Sequence, residues 1–369
     1  MFKFNFLKQT QQRNLKRILP FGIIWAAFGF LYVLIEFGIL GDTTFYPSTQ
    51  NAYDFVSSLT IAPIFAFMMG LLFGSIEVFY LGTLFANRAF FQKILIKTAI
   101  YLLSTIFLLL TYYTIVNSLR MGLPIFDEAV AHSLIQFASD FVFWSVVIYA
   151  GVITFITLFV TEVSDYLGDI VINNFFTGRY HKPREEERIF MFLDMKSSTT
   201  IAERLGHVTY FRLLNKYYAD ISDAIIETSG EIYQYAGDEV IVSWSIEKGQ
   251  ANYDCIQCYF YIKRAIEEKS GNYMKQFGLV PGFKAGFNSG TVTTGQIGVL
   301  KKEIFFAGDV MNTAARIQAS CKVAGVDILI SEELASRLET SDDYKLINMG
   351  AYKLRGRQGK VNLFTVKEN

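Results

Sequence analysis

The sequence predicts a multi-domain protein, with an N-terminal all-α transmembrane domain of four helices and a C-terminal α+β domain. The first observation is that hydrophobic residues make up 52% of the 369 residues and are concentrated in the first half. The second is that this half contains four apolar stretches, each long enough to cross a bilayer. The third is that short apolar strands alternate with amphipathic helices from about residue 187 onward, as is typical of α+β domains.

The N-terminal half begins with a basic segment, residues 1–17, which contains no acidic residue. The transmembrane domain is predicted at residues 18–160, with spans at Leu19–Leu40, Ile61–Phe85, Ile94–Leu119 and Phe137–Val160. The loop between the second and third spans contains Arg88, Lys93 and Lys97, whereas the other two loops contain almost no basic residues. The positive-inside rule therefore predicts a multi-pass protein of the inner (cytoplasmic) membrane, with both termini in the cytoplasm.

Two acidic residues, Glu36 and Glu77, lie inside the apolar spans. Glu77 is nearer the middle of its span, where an ionised carboxylate is costly and faces a bundle interior or a cavity. One interpretation is a sensing or ion site. We favour a carboxyl group that is protonated or hydrogen-bonded between helices, because a single carboxylate defines no ligand.

Residues 161–187 are predicted to connect the two domains. Span four continues as a helix through about Asp169 and then breaks, since Gly178 and Pro183 disfavour a helix. The α+β domain is predicted at residues 188–369.

Composition excludes some partners and sites. The net charge is zero, which gives no global electrostatic case for nucleic acid binding. Three cysteines do not make a disulfide framework. Cys255 and Cys258 have the spacing of a redox or metal motif, but they lie in a predicted amphipathic helix with no second Cys or His pair, so we expect them to pack in the core.

The α+β domain is predicted to begin with the strand Ile189–Leu193, followed by a long helix that Ser197 to Thr200 cap and that reaches about Glu227. Further strands are predicted at Glu231–Tyr235, Glu239–Trp244, Phe283–Asn288, Val292–Gly295 and Glu303–Phe306. Helices are predicted at 251–270 and from Val310 to about Lys322, with a short strand and helix over 327–339. A hairpin over Tyr344–Val366 ends the domain, with a basic turn region at Lys353–Lys360.

Two aspartates are candidate metal ligands. Asp194 ends the first strand, and Asp238 lies in the turn of the following hairpin. Mg²⁺ prefers oxygen ligands and is usually bound by one or two carboxylates together with the phosphates of a substrate. Either aspartate alone could be a cap or a turn residue. The downstream motif favours the metal site.

That motif contains Asn312 and Arg316, which are four residues apart and therefore share one face of a predicted helix. An amide can bind an oxygen, and the fixed donor fork of Arg suits a phosphate. Such a pair often belongs only to a solvent-exposed helix face. Here it follows two candidate metal ligands, which favours a role in binding.

Residues 185–366 resemble a class III nucleotide cyclase catalytic domain of the adenylate/guanylate cyclase family, as found in membrane-anchored bacterial enzymes. The similarity rests on four motifs in the order of the family: Phe-Leu-Asp194-Met-Lys-Ser-Ser-Thr, Ala-Gly237-Asp238-Glu, Ala285-Gly-Phe-Asn-Ser-Gly290 and Gly308-Asp-Val-Met-Asn312-Thr-Ala-Ala-Arg316. The resemblance implies a palm-like, ferredoxin-like sheet with helices. It covers about half of the chain and says little about the four spans.

The resemblance also implies the chemistry. Asp194 and Asp238 would bind two Mg²⁺ or Mn²⁺ ions per site, Asn312 would orient the ribose, and Arg316 would stabilise the phosphorane-like transition state. In the family these last two residues come from the opposite protomer, which implies a homodimer with two shared sites. Lys196, Ser197 and Ser198 are further candidates for substrate binding.

Two positions depart from the family pattern. Adenylate cyclases usually have a Lys where this sequence has Gln234, and an Asp or Thr where it has Phe305. The Glu and Cys that mark guanylate cyclases are missing as well. We therefore expect an adenylate cyclase-like phosphorus-oxygen lyase that converts ATP to cyclic AMP for second-messenger signalling. GTP or a pyrimidine triphosphate stays an alternative substrate.

Three other functions remain as alternatives. The turn Ala236 to Val240 imitates the motif of diguanylate cyclases, but the full motif is incomplete, and that family does not require Asn312 and Arg316. A catalytically silent membrane receptor would explain the changed base-reading pair, but not the four retained site residues. A transporter is disfavoured because the spans show no obvious repeat or ion-site cluster.

Overall fold

The computed structural model describes residues 9–45, 52–85, 88–167, 178–300, 302–339, 341–357 and 359–369. These residues form two compact units, one containing the long apolar helices and the other containing the sheet. The predicted helical continuation beyond span four is present as far as Leu167, and the following part of the predicted connector lies outside the described residues.

The helical unit has five long or medium helices in its described part. They are α1 (Gln9–Leu40), α2 (Phe55–Ile76), α3 (Phe90–Met121), α4 (Glu128–Ser139) and α5 (Phe141–Leu167). α2 continues through a π-helical turn, Glu77–Leu81, and a last short turn, Gly82–Leu84. Among the described residues, four stretches are long and apolar enough to cross a membrane: Gln11–Leu40, Phe55–Leu84, Phe90–Met121 and Phe141–Tyr166.

The predicted start of span four at Phe137 is wrong. Phe137 belongs to α4, and α5 begins at Phe141 after a break at Asp140. Two capping interactions explain the separate helix. The Asp127 carboxylate accepts a hydrogen bond from the backbone N–H of Ala129, and that of Asp140 accepts one from Val142.

Glu77 is hydrogen-bonded between helices, as the preferred interpretation of the sequence expected. Its carboxylate lies 2.5 Å from Lys97 Nζ of α3 and accepts a hydrogen bond from the Tyr101 hydroxyl at 3.0 Å. Lys97 was counted as a loop residue in the sequence, but it is 1% exposed and also lies 2.7 Å from Glu162 of α5. Glu77, Lys97 and Glu162 therefore form a buried ion cluster that joins α2, α3 and α5.

The second unit is built on one sheet with the strand order β2-β3-β1-β4-β6-β8-β7, with β5 paired to β4. The strands are β1 (Arg184–Met195), β2 (Glu231–Ala236), β3 (Glu239–Ser245), β4 (Phe283–Ile297), β5 (Glu303–Ala307), β6 (Ile328–Ser331), β7 (Tyr344–Lys353) and β8 (Lys360–Glu368). All neighbours are antiparallel except β4 and β6. The predicted α+β class is confirmed.

The helices of this unit are α6 (Ser198–Leu205), α7 (His207–Glu227), α8 (Ile246–Gln250), α9 (Asp254–Glu268), α10 (Ser270–Phe277), α11 (Asp309–Ala324) and α12 (Glu332–Ala335). Alternate residues of β1 point to opposite faces of the sheet. Ile189, Met191 and Leu193 belong to a core with α7 and α9, whereas Phe190 and Phe192 cluster with Ala314 of α11. α11 thus lies on the face toward which the side chain of Asp194 is directed.

Three predicted elements differ from the structure. The strands predicted at Phe283–Asn288 and Val292–Gly295 are one continuous strand, because β1 pairs with β4 without a register shift across Ser289 and Gly290. The single helix predicted before Glu227 is broken at Gly206, which has φ of 74°. The helix predicted over 251–270 is a 3₁₀ turn at Ala251–Tyr253 followed by α9, and the separate helix α10 follows from Ser270. Cys255 and Cys258 are buried in α9 without a disulfide, as expected.

Candidate active site

The two candidate metal ligands meet at one end of the central strands. Asp194 lies near the end of β1, opposite Glu239 of β3 and Lys284 of β4. Asp238 lies in the two-residue turn between β2 and β3, where Gly237 takes a left-handed conformation with φ of 67°. The β1–β3 pairing therefore places the turn containing Asp238 beside the end of β1.

The electrostatics of this end are those of a cation site. Burial raises the pKa of Asp194, and the neighbouring Asp238 carboxylate raises it further. Burial, with additional repulsion from Asp194 and Asp238, raises the pKa of Glu239 to about 7. A nearby positive charge would stabilise the ionised forms of Asp194 and Glu239.

The donor set fits a hard divalent ion. Carboxylate oxygens are the ligands that Mg²⁺ and Mn²⁺ prefer. Within the described part of the chain, no group of three or more His, Cys, Asp or Glu side chains could hold a metal by itself. Asp194 and Asp238 would therefore bind ions together with oxygens from a substrate and from water, as is usual for Mg²⁺ at phosphate sites.

The turn that carries Asp238 is fixed from α7. The Tyr218 hydroxyl donates a hydrogen bond to the carbonyl oxygen of Gly237, and the Tyr218 ring packs against Tyr235 with 4.4 Å between centroids. Burial raises the pKa of Tyr218 to about 12, so the hydroxyl stays protonated and remains a donor. Sequence reasoning missed Tyr218 because the contact joins residues 19 positions apart.

Asp194 is fixed from α11. The side-chain amide of Gln318 donates a hydrogen bond from Nε2 to Asp194 Oδ2 at 2.9 Å. Gln318 was also missed, although one signal was available in the sequence. It is a polar residue in the stripe Ala314, Ile317, Gln318 and Cys321, which is otherwise small or apolar and is buried against the sheet.

The second motif lies on the same helix. Asn312 is exposed, and the side chain of Arg316 is 32% exposed. Arg316 Nη1 lies 3.9 Å from Asp309 Oδ1, and Arg357 of the predicted basic turn region lies 4.0 Å from the other Asp309 oxygen. The structure thus places Arg316 next to the basic turn. Arg316 forms its ion pair with Asp309 and not with Asp194 or Asp238.

The two predicted base-reading residues flank one aromatic contact. Gln234 of β2 and Phe305 of β5 are both exposed. Their sequence neighbours Tyr233 and Phe306 touch edge to face, with 5.0 Å between ring centroids. The guanidinium of Arg188 lies over the Phe306 ring at 5.0 Å.

The segment after Asp194 turns sharply into α6. Ser197 has φ of 56°, an uncommon conformation for a residue other than glycine. Ser198 lies close to the Tyr210 hydroxyl, which is near Asp238. Lys196 points elsewhere, because its Nζ lies 2.5 Å from Asp327. Of the three predicted substrate-binding residues in this segment, Lys196 is therefore already paired.

The sequence model of the family "Adenylate and Guanylate cyclase catalytic domain" matches residues 180–368. This match includes every strand of the sheet, from β1 to β8, and covers half of the chain. The chain belongs to this family. The resemblance stated from the four motifs is thereby confirmed.

Individual relatives agree with this assignment to the cyclase family. Adenylate cyclase 2 of Rhizobium meliloti (strain 1021) is 33% identical over 222 residues, which are 60% of this chain and 61% of the relative. Adenylate cyclase of Anabaena cylindrica is 27% identical over 184 residues, covering 48% of this chain and 36% of the relative. The chain thus spans less than two thirds of the length of these relatives.

Solved cyclase structures align at low identity. A bacterial light-regulated adenylyl cyclase aligns with a TM-score of 0.49 and 22% identity, over 56% of this chain and 60% of that one. The adenylyl cyclase CyaB from P. aeruginosa aligns with a TM-score of 0.45 and 19% identity, over 51% of this chain and 97% of that one.

Proposed function

We propose that this protein is a membrane-bound nucleotide cyclase that converts ATP to 3′,5′-cyclic AMP and pyrophosphate for intracellular signalling. The observation that carries the proposal is the convergence of Asp194 and Asp238 in a domain of the cyclase family. The names of the bacterial relatives, which are adenylate cyclases, favour ATP.

The reaction forms a bond between the ribose 3′-oxygen and the α-phosphorus and breaks the bond from that phosphorus to the β-phosphate oxygen. The 3′-hydroxyl proton is released to solvent, and pyrophosphate leaves. In this proposal Arg316 donates hydrogen bonds to the α-phosphate, whose charge increases in the transition state. The Asn312 amide hydrogen-bonds the ribose and orients the attacking hydroxyl.

Asp194 and Asp238 would hold the two divalent ions of the site. When bound, Mg²⁺ or Mn²⁺ supplies Lewis-acid activation of the 3′-hydroxyl and neutralises charge on the triphosphate. Without cations, a triphosphate would be repelled by Asp194, Asp238 and Glu239, so the carboxylates also make binding of the nucleotide dependent on the ion.

The proposed enzyme is a homodimer with shared sites. Arg316 and Gln318 are two residues apart on α11, so their side chains leave the helix on opposite sides. Gln318 contacts Asp194 of its own protomer, whereas Arg316 pairs with Asp309 beside the basic turn. This arrangement supports the proposal that Asn312 and Arg316 complete the site of the second protomer.

The proposed location is the inner membrane, with the catalytic domain in the cytoplasm. Four helices long and apolar enough to span a bilayer support this proposal. The basic residues of the segment 1–17, and Arg88 between α2 and α3, favour the orientation with both termini inside.

A second candidate is a cyclase for GTP or a pyrimidine triphosphate. Gln234 and Phe305 favour it, because both are exposed near the Tyr233–Phe306 contact and neither matches the usual adenine-reading pair. An amide both donates and accepts hydrogen bonds, whereas a phenyl ring can only stack or exclude.

The test is mass spectrometry of the products after the detergent-purified protein is incubated with ATP, GTP, CTP or UTP in Mg²⁺ or Mn²⁺. Cyclic AMP is the expected product, and an Asp194→Ala variant should form none. If another cyclic nucleotide is the only product, the second candidate is correct and the substrate is GTP or a pyrimidine triphosphate. If no nucleotide is cyclised, the protein is a silent receptor module.

A further inference from the structure

The hydrogen bond from Gln318 to Asp194 has a geometry that suits a role at the cation site. Gln318 is 6% exposed, and the 2.9 Å distance from its Nε2 to Asp194 Oδ2 is that of a well-formed bond. A carboxylate has two oxygens with about four acceptor positions. Holding one oxygen restricts rotation of the group and leaves the other oxygen as an acceptor for a cation.

The position of Gln318 is set by a very close contact between α11 and the sheet. A Cβ atom at Gly286 of β4 would lie 2.1 Å from the backbone nitrogen of Gln318 and 2.6 Å from the carbonyl oxygen of Ala314. Only glycine leaves space for this approach. Gly286 pairs with Phe192 of β1, two residues before Asp194, so the contact lies directly beside the carboxylate.

The chemical type of the donor is also informative. Asp194 has one cationic residue opposite it in the sheet, Lys284 of β4. Gln318 is neutral, so it can orient the carboxylate without competing with a divalent cation for its charge. Residues that hydrogen-bond metal-ligating carboxylates orient the ligands, and their loss typically weakens metal binding about 10- to 100-fold.

We propose that Gln318 is a positioning residue for the cation site, which holds the Asp194 carboxylate in the orientation that binds a divalent ion. The proposal rests on the proposed function, because that function makes Asp194 a metal ligand. It extends that function to a residue that touches neither the nucleotide nor the ion. The same helix then orients a ligand in its own protomer through Gln318 and presents Asn312 and Arg316 on its other side.

The test measures binding of Mn²⁺ alone to the intact, detergent-purified protein, by electron paramagnetic resonance of the free ion. Gln318→Met keeps the side-chain length and removes the donor, and we expect about 10-fold weaker binding. Gln318→Asn keeps an amide in the site but is one methylene too short, so it should weaken binding as well. It also provides the test if the Met variant does not fold.

The matched control is Gln250→Met. Gln250 is another partly buried glutamine, and its Nε2 donates one hydrogen bond to the carbonyl oxygen of Arg337 at 3.0 Å, outside the site. This variant should bind Mn²⁺ within about twofold of the wild-type affinity. Fluorine NMR of protein labelled with 5-fluorotryptophan reports through the buried Trp244 whether each variant is folded.

Activity gives a second readout. In the Gln318 variants the Mn²⁺ concentration for half-maximal activity should rise about 10-fold, while kcat at saturating Mn²⁺ approaches the wild-type value, because both ligands remain. Asp194→Asn should not be rescued by added Mn²⁺. If folded Gln318 variants bind Mn²⁺ as tightly as an active wild type, the inference is overturned and the cyclase proposal stands. If the wild type neither binds Mn²⁺ nor cyclises a nucleotide, the proposed function fails first.

Discussion

At the residue scale, Glu239 has a pKa that burial and two neighbouring carboxylates raise. It lies opposite Asp194 in the β1–β3 pairing and directly follows Asp238. Burial and the two aspartates raise its pKa from 4.5 to about 7. The folded protein therefore binds a proton at Glu239 over a pH range in which the unfolded chain does not.

This pKa shift predicts how stability depends on pH without metal. Because the folded-state pKa exceeds the unfolded value, the contribution of Glu239 is fully present below pH 4.5 and is lost as the pH rises through about 7. In EDTA, the unfolding midpoint of the Trp244 fluorine signal should thus decrease between pH 5 and 8. Glu239→Gln should flatten the upper part of this curve, near pH 7.

Asp254 provides the control for that measurement. Burial raises its pKa from 3.8 to about 6, and it lies at the start of α9, away from the Asp194 pairing. Asp254→Asn should flatten the lower part of the curve only. A Glu239→Gln profile that matches the wild type through pH 7 would contradict the assignment.

Individual residues also show which parts of the site the sequence could predict. Four site residues belong to short sequence motifs, which can be recognised without a structure: Asp194, Asp238, Asn312 and Arg316. Tyr218 and Gln318 contribute through contacts across 19 and 124 positions, which no local pattern contains. Lys196 was predicted to bind the substrate, and its ion pair with Asp327 is likewise a contact that no local pattern contains.

At the scale of elements, the contact of α11 with β4 predicts the effect of one methyl group. Gly286→Ala would place Cβ 2.1 Å from the Gln318 backbone nitrogen, so the whole helix must shift. We expect a destabilisation on the order of 1–3 kcal/mol from overpacking. Catalytic activity should also fall, even in the folded variant, because Gln318, Asn312 and Arg316 move together with the helix.

Gly271→Ala is the matched control for Gly286→Ala. Gly271 lies in α10, and a Cβ there would meet no atom within 4 Å. Alanine favours a helix more than glycine does, so this variant should be about 0.5–1 kcal/mol more stable. Chemical denaturation monitored at Trp244 measures both changes, and a neutral Gly286→Ala would show that α11 can move freely.

The buried ion cluster of the helical unit permits a second prediction at this scale. Lys97→Met leaves Glu77 and Glu162 buried without their shared cation, and removing one partner of a buried ion pair costs about 3–5 kcal/mol. Lys93→Met is the control, because Lys93 lies 3.5 Å from Glu162 with a side chain that is 12% exposed. It should cost less than Lys97→Met, because Lys97 still compensates both carboxylates in this variant. SDS titration monitored by the fluorine signal of Trp25 measures both values.

Helices and strands were predicted well where the local sequence marks their first or last residues. The strands around Asp194 and Asp238 were placed to within a few residues because apolar runs and turn residues mark them. β4 was divided wrongly, because Ser289 and Gly290 resemble a turn in sequence, while pairing with Ile189 and Arg188 keeps them in the strand. Lys97 was similarly assigned to a loop, because the sequence does not show the two carboxylates that compensate its charge.

At the scale of the whole molecule, shared sites predict complementation between inactive protomers. Asp238→Ala removes a metal ligand, and Arg316→Ala removes a group proposed to act on the other protomer. Each variant alone should be inactive. When equal amounts are co-expressed, half of the dimers are mixed and each mixed dimer has one intact site, so activity should return to about one quarter of the wild-type value.

The control for complementation mixes Asp238→Ala with Asp194→Ala, because both changes affect the same half of a site. No activity should return in that mixture. No recovery with Arg316→Ala would show that the four residues act within a single protomer. Recovery in the control would show that Asp194 and Asp238 do not belong to the same half of a site.

The ion cluster of Glu77, Lys97 and Glu162 also bears on how the protein is made. An unpaired charge in the middle of a span costs about 2.5–3.5 kcal/mol during insertion into a bilayer. Glu77 and Lys97 belong to consecutive spans, whereas Glu162 lies near the end of the fourth span and is synthesised last. Entry of α2 and α3 as a hairpin would neutralise the first two charges early. Glu162 would then pair with Lys97, which is already in the membrane. The ion pairs would thus form in the order in which their residues are synthesised.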